Sequence, residues 1–440
     1  MTADPIAESW LDAAKLLARH RDILDGRPTA GDAPAALVER GWARYLLALD
    51  DAAVDAIEAR GVDAAWPSPA PTPLLELVAS VRIVCGVPTI AASAPEPRRS
   101  RRAEKPRKRT QIDAFAHVVV RLAATATRVV DVGSGHGHLT RELADRLEVP
   151  VLGLERDAAI ADRARALSTE TAAAFTVTDV LASGLALSSR DCVVGMHACG
   201  ELGDVMVEAA ARSGAAIALV GCCLQKRRAS SRAALCGSPE VDPPLLDLPK
   251  RVLGLSNLTT RDSGVEASRA ENLRARERRL ALYRLLVDAG VELELGAEIE
   301  GLNRRAANGE LDDLVARAFA RRALPLPSRQ AIADAARWAA AQHARMRRLA
   351  LPRSLLGRVL DVFVLLDRAR FLEERGFMVT VGQLFPMEVS ARNLCLVARA
   401  APYSLISASQ LPYGYSLSSL NSRPSSHMLP VNSKPLRELS

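Results

Sequence analysis

The sequence predicts an α/β fold: a Rossmann-like seven-stranded sheet, preceded by a helical region and interrupted by a helical insertion between strands five and six. Three observations carry this expectation. From residue 128, short apolar runs alternate with helical periodicity, the pattern of a parallel sheet covered by helices on both faces. The first run ends in a glycine-rich turn that opens a helix, D-V-G-S-G-H-G at 131–137. Two further β-type runs, 377–384 and 393–399, supply the last two strands.

Residues 1–90 read as a helical accessory region, with apolar residues at helical spacing over 9–24, 34–60 and 74–84. The run W-P-S-P-A-P-T-P at 66–73 reads as a stiff connector, because proline cannot continue a helix. Residues 91–110 form a basic linker, and the catalytic-type domain is expected over 111–400. Its strands are expected at 128–132, 151–155, 175–178, 191–196 and 216–222, with helices at 139–147, 158–167 and 202–213 between them. The insertion covers about 224–350, with helices at 267–289 and 311–323, and a separate last helix is expected at 354–375. Residues 401–440, rich in serine and poor in acids, are expected to be a disordered tail.

Composition narrows the function classes. At 440 residues with 49% apolar content, the chain can build a sizeable core and more than one unit. No run approaches the length of a membrane span, and the charged N-terminal residues leave no room for an export signal. Seven cysteines are too sparse for a disulfide framework, so a cytoplasmic location is expected. The net charge of +7 is concentrated at 98–109, where eight basic residues face one acid. Residues 303–353 add a second arginine-rich stretch, with eleven arginines against four acids. Such stretches are solvated linkers or footprints for phosphates.

The chemistry begins in the turn. Glycines let the backbone turn tightly and approach a ligand, and the helix N-terminus offers N–H groups to a carboxylate. A dinucleotide loop has G-x-G-x-x-G spacing, whereas here the spacing is G-x-G-x-G, led by an acid. That form favours S-adenosyl-L-methionine and a class I methyltransferase fold. Gly133, Ser134, Gly135 and Gly137 would cradle the cofactor, and Asp131 would face its ammonium group. Glu155, ending strand two, would accept from the ribose hydroxyls. Asp179 would accept from the adenine amino group, or simply cap a helix, with Val180 packed on the ring. His197 lies after strand four in G-M-H-A-C-G-E-L-G-D, where it lines the cofactor pocket or acts as general base; Asp204 in the same run is its expected catalytic companion. Cys199, Cys222 and Cys223 should converge near the transferable methyl. With no C-x-x-C pair, they are expected to be small buried side chains and no metal is assigned. The D-P-P-L at 242–245 imitates an amine-gripping motif but lies past strand five, so it reads as a proline turn.

Together, the 195–204 run and V-G-C-C at 220–223 resemble the methyltransferase-like protein 25 family. The tRNA acceptor-stem ribose 2′-O-methyltransferases share the H-x-C-G and C-C elements. Leu366-Asp367-Arg368, Phe371-Leu372-Glu373-Glu374, Leu384-Phe385-Pro386 and Ser390-Ala391-Arg392-Asn393 resemble that family's closing segment, and Lys108-Arg109 with Gln111-Ile112 its basic element before strand one. The resemblance spans about 107–399 and implies methylation of RNA or of a ribosome-associated protein. One departure is Leu224-Gln225, where relatives carry an aromatic or histidine pair. It keeps open a third reading, a SAM-binding scaffold without turnover. The sequence assigns no oligomeric state.

Overall fold

The computed structural model describes residues 5–90, 106–169, 171–257 and 269–401. Most of the expected linker and of the C-terminal tail therefore lies outside the described residues. The described part of the linker is already helical: helix α1 (Pro106–Leu122) takes in the linker's last five residues.

Seven strands form one sheet: β1 (Arg128–Val132), β2 (Val151–Glu155), β3 (Ala173–Val177), β4 (Asp191–Cys199), β5 (Ala216–Cys222), β6 (Phe377–Gln383) and β7 (Leu394–Ala400). Their order is β3-β2-β1-β4-β5-β7-β6. The first five are parallel, and β7 runs antiparallel between β5 and β6. The central strands are continuous apolar runs because both faces are covered. Alternation along them divides the core. Val129, Val194 and Val220 meet α1 and the helix His138–Arg146 through Phe115, Val119 and Leu143. Val130, Val193 and Leu219 meet the opposite helices through Met206 and Phe363.

Two elements differ from the sequence-based expectation. The single helix expected over 34–60 is three, Ala35–Glu39, Trp42–Ala48 and Asp51–Arg60. Gly41, at φ +69°, turns the chain between the first two. Conversely, the expected last helix is the second half of one 45-residue helix, α2 (Arg329–Glu373), which runs through Pro352. An internal proline costs about 3 kcal/mol. Burial on both sides of it offsets that cost. N-terminal to Pro352, Ala335 and Ala339 pack with Leu282, Leu286, Val315 and Phe319 of the insertion. C-terminal to it, Leu356, Leu360 and Phe363 pack in the main core.

The accessory helices dock on this same long helix. Trp10 is fully buried and donates from Nε1 to Asp367 Oδ1 at 3.1 Å. Arg353 donates to the Leu24 carbonyl, and Arg347 bridges Asp55 and Glu58. This docking changes the reading of the arginine-rich stretch. Arg322, Arg337, Arg347, Arg348 and Arg353 all hold acceptors within the chain. Of these, Arg347, Arg348 and Arg353 fasten the accessory helices and Arg322 the insertion, whereas the Arg337–Asp334 pair is exposed.

Candidate active site

The carboxyl ends of β1, β2 and β4 open onto a crevice of about 510 Å³, at the place where doubly wound sheets bind ligands. That volume lies within the roughly 300–1,000 Å³ typical of small-molecule sites. Of the residues expected to hold the cofactor, Gly133, Glu155, Asp179, Val180 and His197 line it, whereas Ser134, Gly135 and Gly137 are not among its lining residues.

The turn after β1 has Gly133, Gly135 and Gly137 at φ +74°, +56° and +72°, a region that side chains disfavour. Their space requirements differ. A Cβ on Gly137 would stand 2.4 Å from Phe175 Cζ, whereas one on Gly135 would meet nothing within 4 Å. Gly137 is thus needed for packing, and Gly135 leaves an open cradle. Most of the turn's N–H groups are not idle. Gly133 and Ser134 donate to Leu154 O, Gly137 donates to Ser134 O, and Gly135 donates to Glu155 Oε2 at 3.0 Å. Glu155 Oε1 accepts from Asp157 N. Each carboxylate oxygen keeps a second lone pair with which to accept from a ribose hydroxyl. Ser134 Oγ is buried with no partner.

Asp131 lies away from the crevice lining. It is buried and accepts from Thr140 Oγ1 at 2.7 Å, so it anchors the helix that follows the turn. Burial pushes its carboxyl up to about 6, which the Thr140 hydrogen bond only partly opposes. Asp179 realises the capping alternative while still lining the crevice. Oδ1 accepts from Leu181 N, and Oδ2 accepts from Arg228 at 3.0 Å.

His197 sits on a β-bulge between Met196 and Ala198, with φ +70°. A non-glycine residue there is strained, and such strain concentrates at functional sites. Its Nε2 lies 3.0 Å from Gln111 Oε1, an acceptor, so Nε2 carries the proton and Nδ1 is bare. Nδ1 is buried with no partner. Burial, joined by Arg392, Lys108 and Arg107, pushes the imidazole down to about 4. Gln111 escaped sequence reasoning as a site residue. Its signals are its polarity among the apolar positions of α1 and its place in the Lys108–Ile112 element of the resemblance.

Asp204 is not beside His197 in the crevice lining. It is buried in an ionic cluster and accepts from Arg227 at 2.7 Å, Arg368 at 2.9 Å and Arg232 at 3.1 Å. Burial alone would raise its carboxyl, but Arg368 and Arg232 hold it well below the usual range. A carboxylate so bound cannot take up a proton near neutral pH, which removes it from the expected catalytic pair. The glycines of the same motif serve this cluster. A Cβ on Gly203 would stand 2.7 Å from the Arg368 guanidinium, and one on Gly200 would stand 2.1 Å from Lys226 O.

The three cysteines do converge. Cys199 and Cys222 are in register on β4 and β5, with sulfurs 2.7 Å apart, and both donate to the His197 carbonyl. The D-P-P-L segment is a 3-10 turn over Pro243–Leu246, remote from the crevice lining.

Residues 107–230 match the Methyltransf_32 family, described as a methyltransferase domain. Among solved structures, the chain is similar to a putative methyltransferase of Haloferax volcanii in complex with the Trm112 activator. The match has 24% identity over 24% of this chain and 50% of that one, with a TM-score of 0.21. It is also similar to a TehB-like SAM-dependent methyltransferase from Corynebacterium glutamicum (19% identity, 24% and 60% covered, TM-score 0.20). A third is magnesium protoporphyrin IX methyltransferase from Synechocystis PCC 6803 with bound SAM (17% identity, 26% and 58% covered, TM-score 0.22). The chain spans half to three fifths of these proteins' length. The unpartnered His197 Nδ1 in the crevice, and the open space at Gly135 in the adjoining turn, fit a polar cofactor. The strand–turn–helix frame of the crevice falls within residues 107–230, the segment that matches a methyltransferase domain.

Proposed function

We propose that the protein transfers a methyl group from S-adenosylmethionine to RNA. One observation carries the acceptor class: the acceptor side of the crevice is cationic. Lys226 and Arg156 are exposed on its lining, and Arg107, Lys108 and Arg392 lie close enough to His197 to influence its charge. A polyanion would be drawn to such a rim.

S-adenosylmethionine, when bound, supplies an electrophilic methyl on sulfonium. The chain's own task is then mostly positioning. The glycine turn and Glu155 would hold the cofactor, and Val180 would pack beside it. The bare His197 Nδ1 is the atom suited to accept a hydrogen bond from an acceptor hydroxyl or amine. Gln111 fixes that tautomer, so a lone pair rather than a proton faces the acceptor. Asp204 has no part in the reaction.

A second reading, methylation of a ribosome-associated protein, has its own support. No Phe, Tyr or Trp lines the crevice among the described residues, so a stacking platform for an unpaired base is missing.

Full-length protein incubated with radiolabelled S-adenosylmethionine and separated cell RNA and protein tests the proposal. Label is expected in RNA. Label confined to protein would overturn the RNA assignment in favour of the second reading. Cofactor binding by calorimetry without label in either fraction would leave the scaffold reading. His197→Ala should cut turnover by about 100-fold or more while cofactor affinity stays within a few-fold.

A further inference from the structure

Next to the cofactor crevice is a group of side chains that methyl transfer leaves unused. The sulfurs of Cys199, Cys222 and Cys223 all lie within 4.8 Å of one another. Cys199 lines the crevice, whereas Cys222 and Cys223 line a second cavity with Ser256, Asp361 and Arg392. The three thiols thus occupy the wall between two cavities, at the ends of β4 and β5.

We propose that Cys199, Cys222 and Cys223 form a binding site for a thiophilic metal cation of the zinc(II) or copper(I) kind. Thiolate sulfurs bound to zinc lie at about 2.3 Å, which places tetrahedral ligand pairs about 3.8 Å apart. The observed separations, from 2.7 Å for Cys199–Cys222 to no more than 4.8 Å, bracket that distance. Three sulfurs and no oxygen or imidazole select a soft cation over magnesium or calcium. Among the described residues no histidine or carboxylate completes the group, so a fourth position stays open.

Two features favour a three-ligand site over a simple pair of thiols poised for a disulfide. A Cys199–Cys222 bond needs only the in-register strands, yet Cys223 adopts φ +42° and brings a third sulfur in. That left-handed conformation costs of the order of 1 kcal/mol for a residue with a side chain. Charge is the second feature. Arg392 and Lys226 stand near Cys223 and offset the negative charge of three thiolates, while the displaced thiol protons pass to solvent. Metal binding would replace the S–H donations that Cys199 and Cys222 now make to the His197 carbonyl with metal–sulfur bonds.

The test is metal binding by the full-length protein, independent of any acceptor. Protein purified under reducing conditions without chelator is expected to carry stoichiometric zinc or copper by elemental mass spectrometry. Stripped protein titrated with cobalt(II) should show sulfur-to-cobalt charge-transfer absorption. Competition against a zinc chelator, and separately against a copper(I) chelator, distinguishes the two cations. Cys222→Ser should weaken binding by at least about 100-fold, more than the roughly 10- to 100-fold typical of indirect partners. Cys85→Ser should leave binding unchanged. Cys223→Ser, on the less buried sulfur, replaces Cys222→Ser if the latter does not fold by circular dichroism. Protein that neither carries metal nor gives cobalt bands overturns the site. So would a Cys199–Cys222 disulfide found by mass spectrometry in anaerobically handled protein.

Discussion

The run G-M-H-A-C-G-E-L-G-D contributes to two regions that treat charge in opposite ways. At its start, His197 enters a crevice with spare capacity: its Nδ1 has no partner. At its end, Asp204 enters a cluster in which both carboxylates are saturated. Asp204 binds three arginines, and Asp367 accepts from Arg232 at 2.8 Å, Trp10 Nε1 and the amides of Leu235 and Cys236. This cluster joins an accessory helix, the insertion, the helix after β4 and the long helix α2. The difference teaches how to tell a binding site from a structural lock when both are built from ionisable residues. The lock saturates its two carboxylates internally, leaving only Arg232 Nη1 unpartnered, and the site leaves the His197 Nδ1 acceptor for a ligand.

The largest effect should come from breaking the lock. Asp367→Ala leaves Arg232 fully buried beside one carboxylate instead of two, and should cost about 3–5 kcal/mol in urea denaturation. A loss below about 1 kcal/mol would mean that the cluster is not closed in solution.

Two buried aspartates sharpen the contrast through pH. Asp131 has its carboxyl raised to about 6, against 3.8 for its ordinary value. Between those values the native state holds a proton that the unfolded chain has released. Stability from this group is therefore full below about 3.8 and is lost as pH rises through 6. The shift corresponds to about 3 kcal/mol. Asp131→Asn should remove that slope, so the stability difference between variant and parent should shift by that amount between pH 4 and 7.5 without cofactor. Asp204, held low, acts oppositely: its contribution is present above pH 3.8 and fades only in stronger acid.

The glycine turn offers a smaller test. Gly137→Ala forces a side chain into Phe175 at a left-handed φ and should destabilise by about 1–3 kcal/mol. Gly135→Ala meets open space and should cost only about 1 kcal/mol of backbone strain while weakening S-adenosylmethionine binding. Equal effects of both on stability, with binding untouched, would remove the cradle from the site. Least of all, Arg228→Ala breaks an exposed pair with Asp179 and should change stability by about 0–1 kcal/mol.

Much of the crevice was legible in the chain itself. Strand, turn and helix are local, and a ligand at the strand ends follows from the parallel order, so Gly133, Glu155, Asp179, Val180 and His197 could be placed from spacing. Asp131 and Asp204 could not. Their neighbours, Thr140 for one and Arg232 and Arg368 for the other, decide whether a carboxylate faces ligand or lattice of arginines. The nearest of these partners is nine residues away and the farthest 164.

The amino-acid sequence by itself determined the sheet, the glycine turn and the insertion between β5 and β6, because periodicity and turn chemistry act over a few residues. Only the tertiary structure decided that Pro352 lies inside a continuous helix, that Arg347, Arg348 and Arg353 fasten the accessory helices, and that Asp204 is held among three arginines. Each of these depends on burial and on which charges become neighbours, and those quantities exist only once distant segments have packed. For the run that begins at Gly195, this means that its letters announce a functional edge, while the fold assigns its histidine to the crevice and its aspartate to the lock.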